Sequence, residues 1–292
     1  MSGVRFRVLL ATLSLCLSGA PLAWAGAWTI PRQRMYAEYF IRYFGGDKKD
    51  FNTSGHSRRK ANTGVFSDIR NELKLEYGLT DWLNLLASAP YQSSHYRDDN
   101  VDLLTTGVGD IYVRTKLRFL QAPVVSSVQF SWKIPGAYDR HESPALGDGQ
   151  FDCESRLLVS RSFLYRPYQV SNTETRYAGV AFINAEGGFT ARHGAPANEC
   201  PLYLEAGVTP MQRFMVVGSL ESVIGLRSTN EQIENFAKWG VRGIWNVWGQ
   251  GFDSVFRSGH AAVNLELGYN DIFAGRNTAD AFEVFGKIGV SF

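Results

Sequence analysis

The chain has 292 residues, 45% of them hydrophobic and 13% aromatic, with 29 glycines. It carries 30 basic residues against 28 acidic ones, a near balance that gives no basis for a nucleic-acid partner. After Ala25 no apolar run reaches the roughly 18 residues that a membrane-crossing helix needs, so any membrane crossing has to use strands.

The first stretch, "MSGVRFRVLLATLSLCLSGAPLAWA", has two arginines, an apolar segment broken by Ser, Gly and Pro, and small residues at its end. That grammar predicts a secretory signal peptide over residues 1–25, cleaved before Gly26. Leu15 in front of Cys16 excludes a lipoprotein signal. Loss of Arg5 and Arg7 with this segment leaves 28 basic against 28 acidic residues. Residues 26–292 hold no Pro/Ser linker and are expected to form one unit. Their two cysteines, Cys153 and Cys200, either pair in an oxidising compartment or stand alone on separate strands.

Alternation of polar and apolar residues then runs along the chain. Residues 35–44 set Glu38 and Arg42 against Ala37, Tyr39, Ile41 and Tyr43. In 66–77, Asp68, Arg70, Glu72, Lys74 and Glu76 fall on every second position, with Ile69, Asn71, Leu73, Leu75 and Tyr77 between them. Ile69, Leu73 and Tyr77 also fit a helical stripe. The segment 108–120 decides the matter for its own kind. Asp110, Tyr112, Arg114, Lys116 and Arg118 alternate with Ile111, Val113, Thr115, Leu117 and Phe119, whereas a helix would mix Ile111, Thr115 and Arg118 on one face. Period two means strands. Further strands are expected near 82–91, 124–134, 150–163, 177–190, 201–209, 215–226, 236–247, 260–270 and 281–292, about twelve in all.

Turns at 78–81, 121–123 and 210–212 are short. Connections at 45–65, 92–105, 136–149, 191–199, 227–235 and 271–280 are longer and polar. Short turns at one end and long loops at the other suit an outer-membrane barrel; segments 164–176 and 248–259 break that pattern by being long where short turns belong. A soluble sandwich alternates too. Against it stand opposite charges packed along one face, and aromatic residues near strand ends (Tyr77, Trp82, Tyr91, Phe119, Phe163, Trp239, Trp245, Trp248 and Tyr269), where a bilayer interface favours them. Spanning strands have to close on themselves, because lipid satisfies no backbone group. The expected fold is therefore an all-β, transmembrane antiparallel barrel of about twelve strands with periplasmic termini.

The end, "VFGKIGVSF", places Val284, Gly286, Ile288, Val290 and Phe292 on alternate positions and finishes on Phe. It resembles the recognition strand by which Gram-negative outer-membrane proteins reach the barrel-assembly machinery, with Val284, Ile288, Val290 and Phe292 as the assembly signal. The stretches "YGLTDWLNLLASAPY" (77–91), "GVGDIYVRTKLRF" (107–119), "LGDGQFD" (146–152), "NAEGGF" (184–189), "GAPANECPLYLEAG" (194–207) and "GRNT" (275–278) together resemble the barrels grouped as the "MetA-pathway of phenol degradation" family, transporters of the outer membrane. That resemblance, and nothing in the composition, implies uptake of aromatic or otherwise hydrophobic compounds.

The inward face is expected to be charged and lumen-lining: Glu38, Arg42, Asp68, Arg70, Glu72, Lys74, Glu76, Asp110, Arg114, Lys116, Arg118, Asp152, Glu154, Arg156, Glu186, Glu205, Glu221, Lys238, Arg242, Glu266, Glu283 and Lys287. Acids and bases nearly cancel, which predicts a narrow lumen cross-linked by ion pairs. The few residues between Gly26 and the first strand are too short for a plug domain. A small-solute channel is the expected function, with a structural or adhesive barrel as the alternative. A barrel hydrolase is the third reading. Its candidates are His56 with Ser57 beside Arg58, Arg59 and Lys60, and His95 with Asp98 and Asp99. Each set lies inside one loop, so no catalytic residue is assigned. His141, Glu142, Asp148 and Asp152 are close in sequence, but "GDG" reads as a turn; no metal or cofactor is expected. The expected partners are outer-membrane lipid and lipopolysaccharide, the latter through basic residues of loop 45–65, together with the assembly machinery and the solute, around a monomer.

Overall fold

A computed structural model describes residues 26–292 except 53, 60–63, 140, 172–173, 194–196, 227–234, 250–251 and 253–260. The expected signal peptide and most of segment 248–259 lie outside the described residues. The strands are β1 (Met35–Phe51), β2 (Ser57–Arg59), β3 (Val65–Gly78), β4 (Leu83–Arg97), β5 (Asp102–Val108), β6 (Ile111–Leu120), β7 (Val125–Ile134), β8 (Asp152–Ser171), β9 (Glu174–Arg192), β10 (Glu199–Met211), β11 (Phe214–Gly225), β12 (Asn235–Trp248), β13 (Ala262–Arg276) and β14 (Thr278–Ser291).

Twelve of these pair antiparallel with their neighbours, and β14 returns to β1, Ile288 opposite Tyr39, to close the barrel. The remaining two lengthen the wall at one end. β2 pairs the outer end of β1, and β5 continues along the upper half of β4 while β6 holds the lower half. The chain ends meet at the other rim, where Met35 and Phe292 exchange backbone hydrogen bonds of 2.9 and 3.0 Å. That rim carries the short turns 79–82, 121–124 and 212–213, which marks it as periplasmic.

The faces are reversed relative to a soluble protein. On β3, Asp68, Glu72 and Glu76 are buried, while Ile69, Leu73, Leu75 and Tyr77 are exposed. Buried carboxylates and a continuous exposed apolar wall are stable only if the inside is polar and the outside meets hydrocarbon. A soluble sandwich is ruled out by this arrangement. The ends of the apolar band carry aromatic residues. Trp82, Phe119, Phe163, Trp245 and Trp248 are exposed toward the periplasmic rim. Higher up, Tyr43, Phe282, Tyr269 and Trp239 form an unbroken row over β1, β14, β13 and β12, with successive centroids 6.0, 6.1 and 5.7 Å apart. Aromatic rings at both levels fit the two polar–apolar boundaries of a bilayer.

Three connections differ from the sequence expectation. Residues 164–176, expected as a long connection, belong largely to the strands: β8 and β9 run on as a hairpin, Leu164 opposite Val180 and Tyr168 opposite Arg176. The expected long loop 271–280 is a tight turn at Asn277, whose φ of 52° lies in the left-handed region that Asn tolerates. β4 and β5 also extend the wall through most of 92–105. Cys153 and Cys200 are free thiols on β8 and β10.

Candidate functional site: the barrel interior

Inward side chains meet in a ladder of ion pairs. Near the periplasmic end Lys116 Nζ lies 3.3 Å from Glu76, which also accepts from Asn84 at 2.5 Å. At mid-height Lys74 pairs with Glu38 at 3.2 Å, and Tyr36 donates to the same carboxylate at 2.8 Å. Beside them Lys287 joins Glu266 at 2.7 Å, and Arg242 bridges Glu266 and Glu205. Arg156 holds Glu154 at 2.6 Å and Glu186 at 3.4 Å. Higher still, Arg42 sits between Asp68 (2.8 Å) and Glu283 (3.3 Å), and Lys238 between Glu221 (3.0 Å) and Glu283 (3.6 Å). Buried charges are costly unless paired, so the ladder stiffens the wall while keeping the inside polar.

The other named residues fall elsewhere. Arg70 donates to Gln92 and Arg114 to Ser88. Asp110 is just outside β6 and accepts from Tyr138 at 2.6 Å. Burial and that hydrogen bond push the Tyr138 phenol well above its usual range. Arg118 sits at the periplasmic rim, where β6 ends, with its Nη2 on the Asp81 carbonyl at 2.8 Å.

Three interior cavities of about 420, 350 and 270 Å³ follow one another between these layers. All three share Lys74. The first shares Arg114 and Arg156 with the second, and Arg70 and Glu72 with the third.

Lys133, Arg192 and Glu199, which are not among the expected lining residues, also line the first cavity. Lys133 gathers Asp110, Asp148 and Asp152, with Asp148 at 2.5 Å, and Arg192 holds Glu199 at 3.0 Å. The phase of Gln129, Ser131 and Lys133 carries the signal for the first of these. For Arg192 the signal is an alternation through Glu186, Gly188 and Thr190 that continues past the expected strand end.

The periplasmic end is filled by residues 26–30, a stretch too short for a plug domain that nonetheless occupies the barrel's interior. Ala27 and Trp28 are buried inside the barrel with Leu158, Val180, Phe182, Met215, Val217 and Ile244. The segment is tied down by polar contacts on several strands. Ala27 N donates to Ser160 Oγ at 2.9 Å, Ser127 Oγ donates to the Ala27 carbonyl, and Lys116 Nζ donates to the Trp28 carbonyl at 3.1 Å. Thr29 Oγ1 donates to the Asp81 carbonyl at 2.7 Å. Gly26 has φ +84°, and a Cβ there would meet Asn184 Oδ1 at 2.3 Å, so only glycine fits this approach.

Of the catalytic candidates, Ser57 and His95 lie on strands β2 and β4 rather than in loops, and Asp98 and Asp99 follow the end of β4. Ser57 donates to Asp280 at 2.8 Å; His95 contacts Asp102 at 2.6 Å; Asp98 accepts the backbone amides of Asn100 and Val101. Those two amides hold the Asp98 carboxyl below its usual range. Asp148 and Asp152 both close on Lys133, away from the exposed His141 and Glu142.

Fold and interior together define a transmembrane barrel of the outer-membrane class with a channel-like inside. No protein-family model matches the chain. No curated protein matches it either. Among solved structures it is similar to the COG4313 outer membrane channel from Pseudomonas putida F1, with a TM-score of 0.65 and 12% identity over 91% of this chain and 98% of that one. The transport unit of the autotransporter AIDA-I from Escherichia coli aligns at a TM-score of 0.46 and 10% identity, covering 97% of each chain. At 12% identity the likeness to that channel is one of fold.

Proposed function

We propose that the protein is an outer-membrane channel for small solutes, closed at its periplasmic end by residues 26–30. The observation that carries this reading is the succession of polar cavities inside a closed barrel, which a purely structural barrel has no need of. The closure rests on a handful of hydrogen bonds and one apolar cluster, so it can be displaced without unfolding the wall. Residues 1–25 are removed on export, and the monomer reaches the membrane through the assembly machinery with its terminal strand as the signal. There it faces lipid along the apolar band and lipopolysaccharide at the extracellular loops. Membership of the "MetA-pathway of phenol degradation" family, and with it an aromatic or hydrophobic solute, is proposed on the sequence resemblance alone.

The test is conductance of the purified protein in planar bilayers, beside a Lys116→Gln variant that loosens the closure. Discrete steps that become larger or more frequent in the variant support a plugged channel. A folded protein and folded variant that both give no steps would establish the structural-barrel reading instead.

A further inference from the structure

Nearly every inward cation of the barrel closes on a carboxylate. Among the described residues two inward guanidiniums do not. Arg70 places Nε and Nη2 on Gln92 Oε1, at 3.0 and 2.7 Å, and Gln92 is itself anchored by donating to the Leu146 carbonyl at 2.6 Å. Arg114 donates Nη1 to Ser88 Oγ at 3.2 Å and lies 4.8 Å over the Tyr112 ring. Both line the cavity of about 420 Å³ toward the extracellular half. Their hydrogen-bond partners are neutral, so each side chain is oriented without a carboxylate on its guanidinium. Donors remain free on both: Nη1 on Arg70, Nε and Nη2 on Arg114.

Glu72 faces the same cavity and belongs to none of the barrel's ion pairs within 4 Å among the described residues. The other charges lining it, apart from Arg70 and Arg114, are already matched. Lys74 is held by Glu38, Arg156 by Glu154 and Glu186, Arg192 by Glu199, and Lys133 by Asp110, Asp148 and Asp152. Arg70 and Arg114 thus turn guanidinium donors to the cavity beside a single acid outside the ion pairs, in a confined space where charge acts more strongly than in bulk water. Planar guanidiniums match a carboxylate's two oxygens. We propose that this cavity is a binding site for small organic monocarboxylates, with the carboxylate received by the free guanidinium donors that Arg70 and Arg114 turn to it. Glu72 limits the site to ligands of single charge, and the Tyr112 ring fixes the Arg114 plane. The site rests on the channel reading for the ligand's route in, and would be a selective station along that route.

Binding is tested on the folded full-length mature protein in detergent, by saturation-transfer NMR titration of butyrate, with heat-modifiable gel migration as the folding control. Wild type should bind butyrate saturably and ignore butyramide. Arg70→Gln and Arg114→Gln should each weaken binding about tenfold or more, the loss expected for one charge-assisted pair. Glu72→Gln should strengthen it, since a like charge leaves the site. Arg118→Gln, at the distant rim, should leave it unchanged. Equal binding of butyramide, or a folded Arg114→Gln protein that binds as wild type does, would overturn the proposal. Should Arg114→Gln fail to fold, Glu72→Gln decides alone, and unchanged or weaker binding there overturns it. Because binding is read without current, butyrate binding by a barrel that never conducts would refute the channel and leave the site standing. Conductance without butyrate binding would do the reverse.

Discussion

Lys116 Nζ sits between the Glu76 carboxylate at 3.3 Å and the Trp28 carbonyl at 3.1 Å, so one ammonium joins the barrel wall to the segment that closes it. Its side chain and that of Glu76 are both nearly sealed from solvent. Replacement of Lys116 by Gln leaves Glu76 with only Asn84 and removes the strongest polar tie on Trp28. Loss of one partner from a buried pair costs about 3–5 kcal/mol. Part of that penalty is escaped if the 26–30 segment leaves and water reaches Glu76. The expected outcome is therefore more frequent or larger conductance steps together with lower stability to urea. Lower stability with no change in current would mean that the segment does not gate.

The reversed faces make a second prediction. Val113 points outward and is about 40% exposed, whereas Gln129 lines two of the interior cavities. Arginine at Val113 places a charge in hydrocarbon, at a cost of about 2–4 kcal/mol near the midplane. Lysine at Gln129 enters a polar, hydrated space and should be mild. Reversible folding into lipid vesicles, with denaturant titration of each variant, measures both. Equal costs would contradict the assignment of faces.

The twelve barrel strands were legible because the inner and outer faces differ sharply, so each strand writes a period-two pattern. The same chemistry hid their ends. In soluble proteins Asn, Asp and Gly mark turns, but inside this barrel they are wall residues. Asn270 donates to Glu283 at 2.7 Å from the middle of β13, and the strand runs on through Asn270-Asp271 to Arg276, past the point where the sequence reads as a loop. The long β8–β9 hairpin was lost in a similar way, because Tyr165-Arg166-Pro167-Tyr168 interrupts the alternation where the strand continues. The closure by Ala27 and Trp28 had no local signal at all. It is a tertiary choice, made by matching apolar residues on β8, β9, β11 and β12 that alternation places inside but that look out of phase with a polar lumen. Arg118 shows the opposite error source. Its phase on β6 is inward, yet the strand ends at the rim, and Arg118 turns to the Asp81 carbonyl.

Phe292 closes the seam, exchanging backbone hydrogen bonds with Met35 while its ring stays exposed. Deletion of this residue removes both the terminal seam contacts and the exposed aromatic end of the expected assembly signal. Outer-membrane levels should fall and unfolded protein should accumulate in the periplasm, seen as loss of heat-modifiable migration. A Phe292→Ala variant keeps the backbone bonds and isolates the ring. Normal assembly of both would remove the terminal strand from its signalling role.

Gly26 N lies 3.2 Å from Glu186 Oε1, inside the barrel and beside Arg156. If export cleaves before Gly26, this nitrogen becomes a charged amine and the contact becomes an ion pair. Intact-mass analysis of the outer-membrane form should give a chain beginning at Gly26. Glu186→Gln should then loosen the closure in the same direction as Lys116→Gln, because a charged amine would lose its carboxylate. A mature chain that starts elsewhere would dissolve this link.

The final prediction separates three neighbouring cations of one strand by where the structure puts them. Arg114 faces two cavities with a hydroxyl as its hydrogen-bond partner, Lys116 is committed to Glu76 and Trp28, and Arg118 is at the rim. An uncompensated charge in a narrow polar passage attracts ions of opposite sign and repels those of its own, and the effect grows as water is excluded. Neutralising Arg114 should therefore shift reversal potentials in a salt gradient toward cation selectivity. Neutralising Lys116 should act chiefly on the opening of the closure, with a smaller effect on selectivity. Neutralising Arg118 should change neither. The three single variants, measured at low and high salt, distinguish passage from bracing, since a true field effect fades as the Debye length shrinks from about 30 Å at 0.01 M to about 3 Å at 1 M. If Arg114→Gln melts normally and leaves the reversal potential unmoved at low salt, ions do not pass through the space this guanidinium faces.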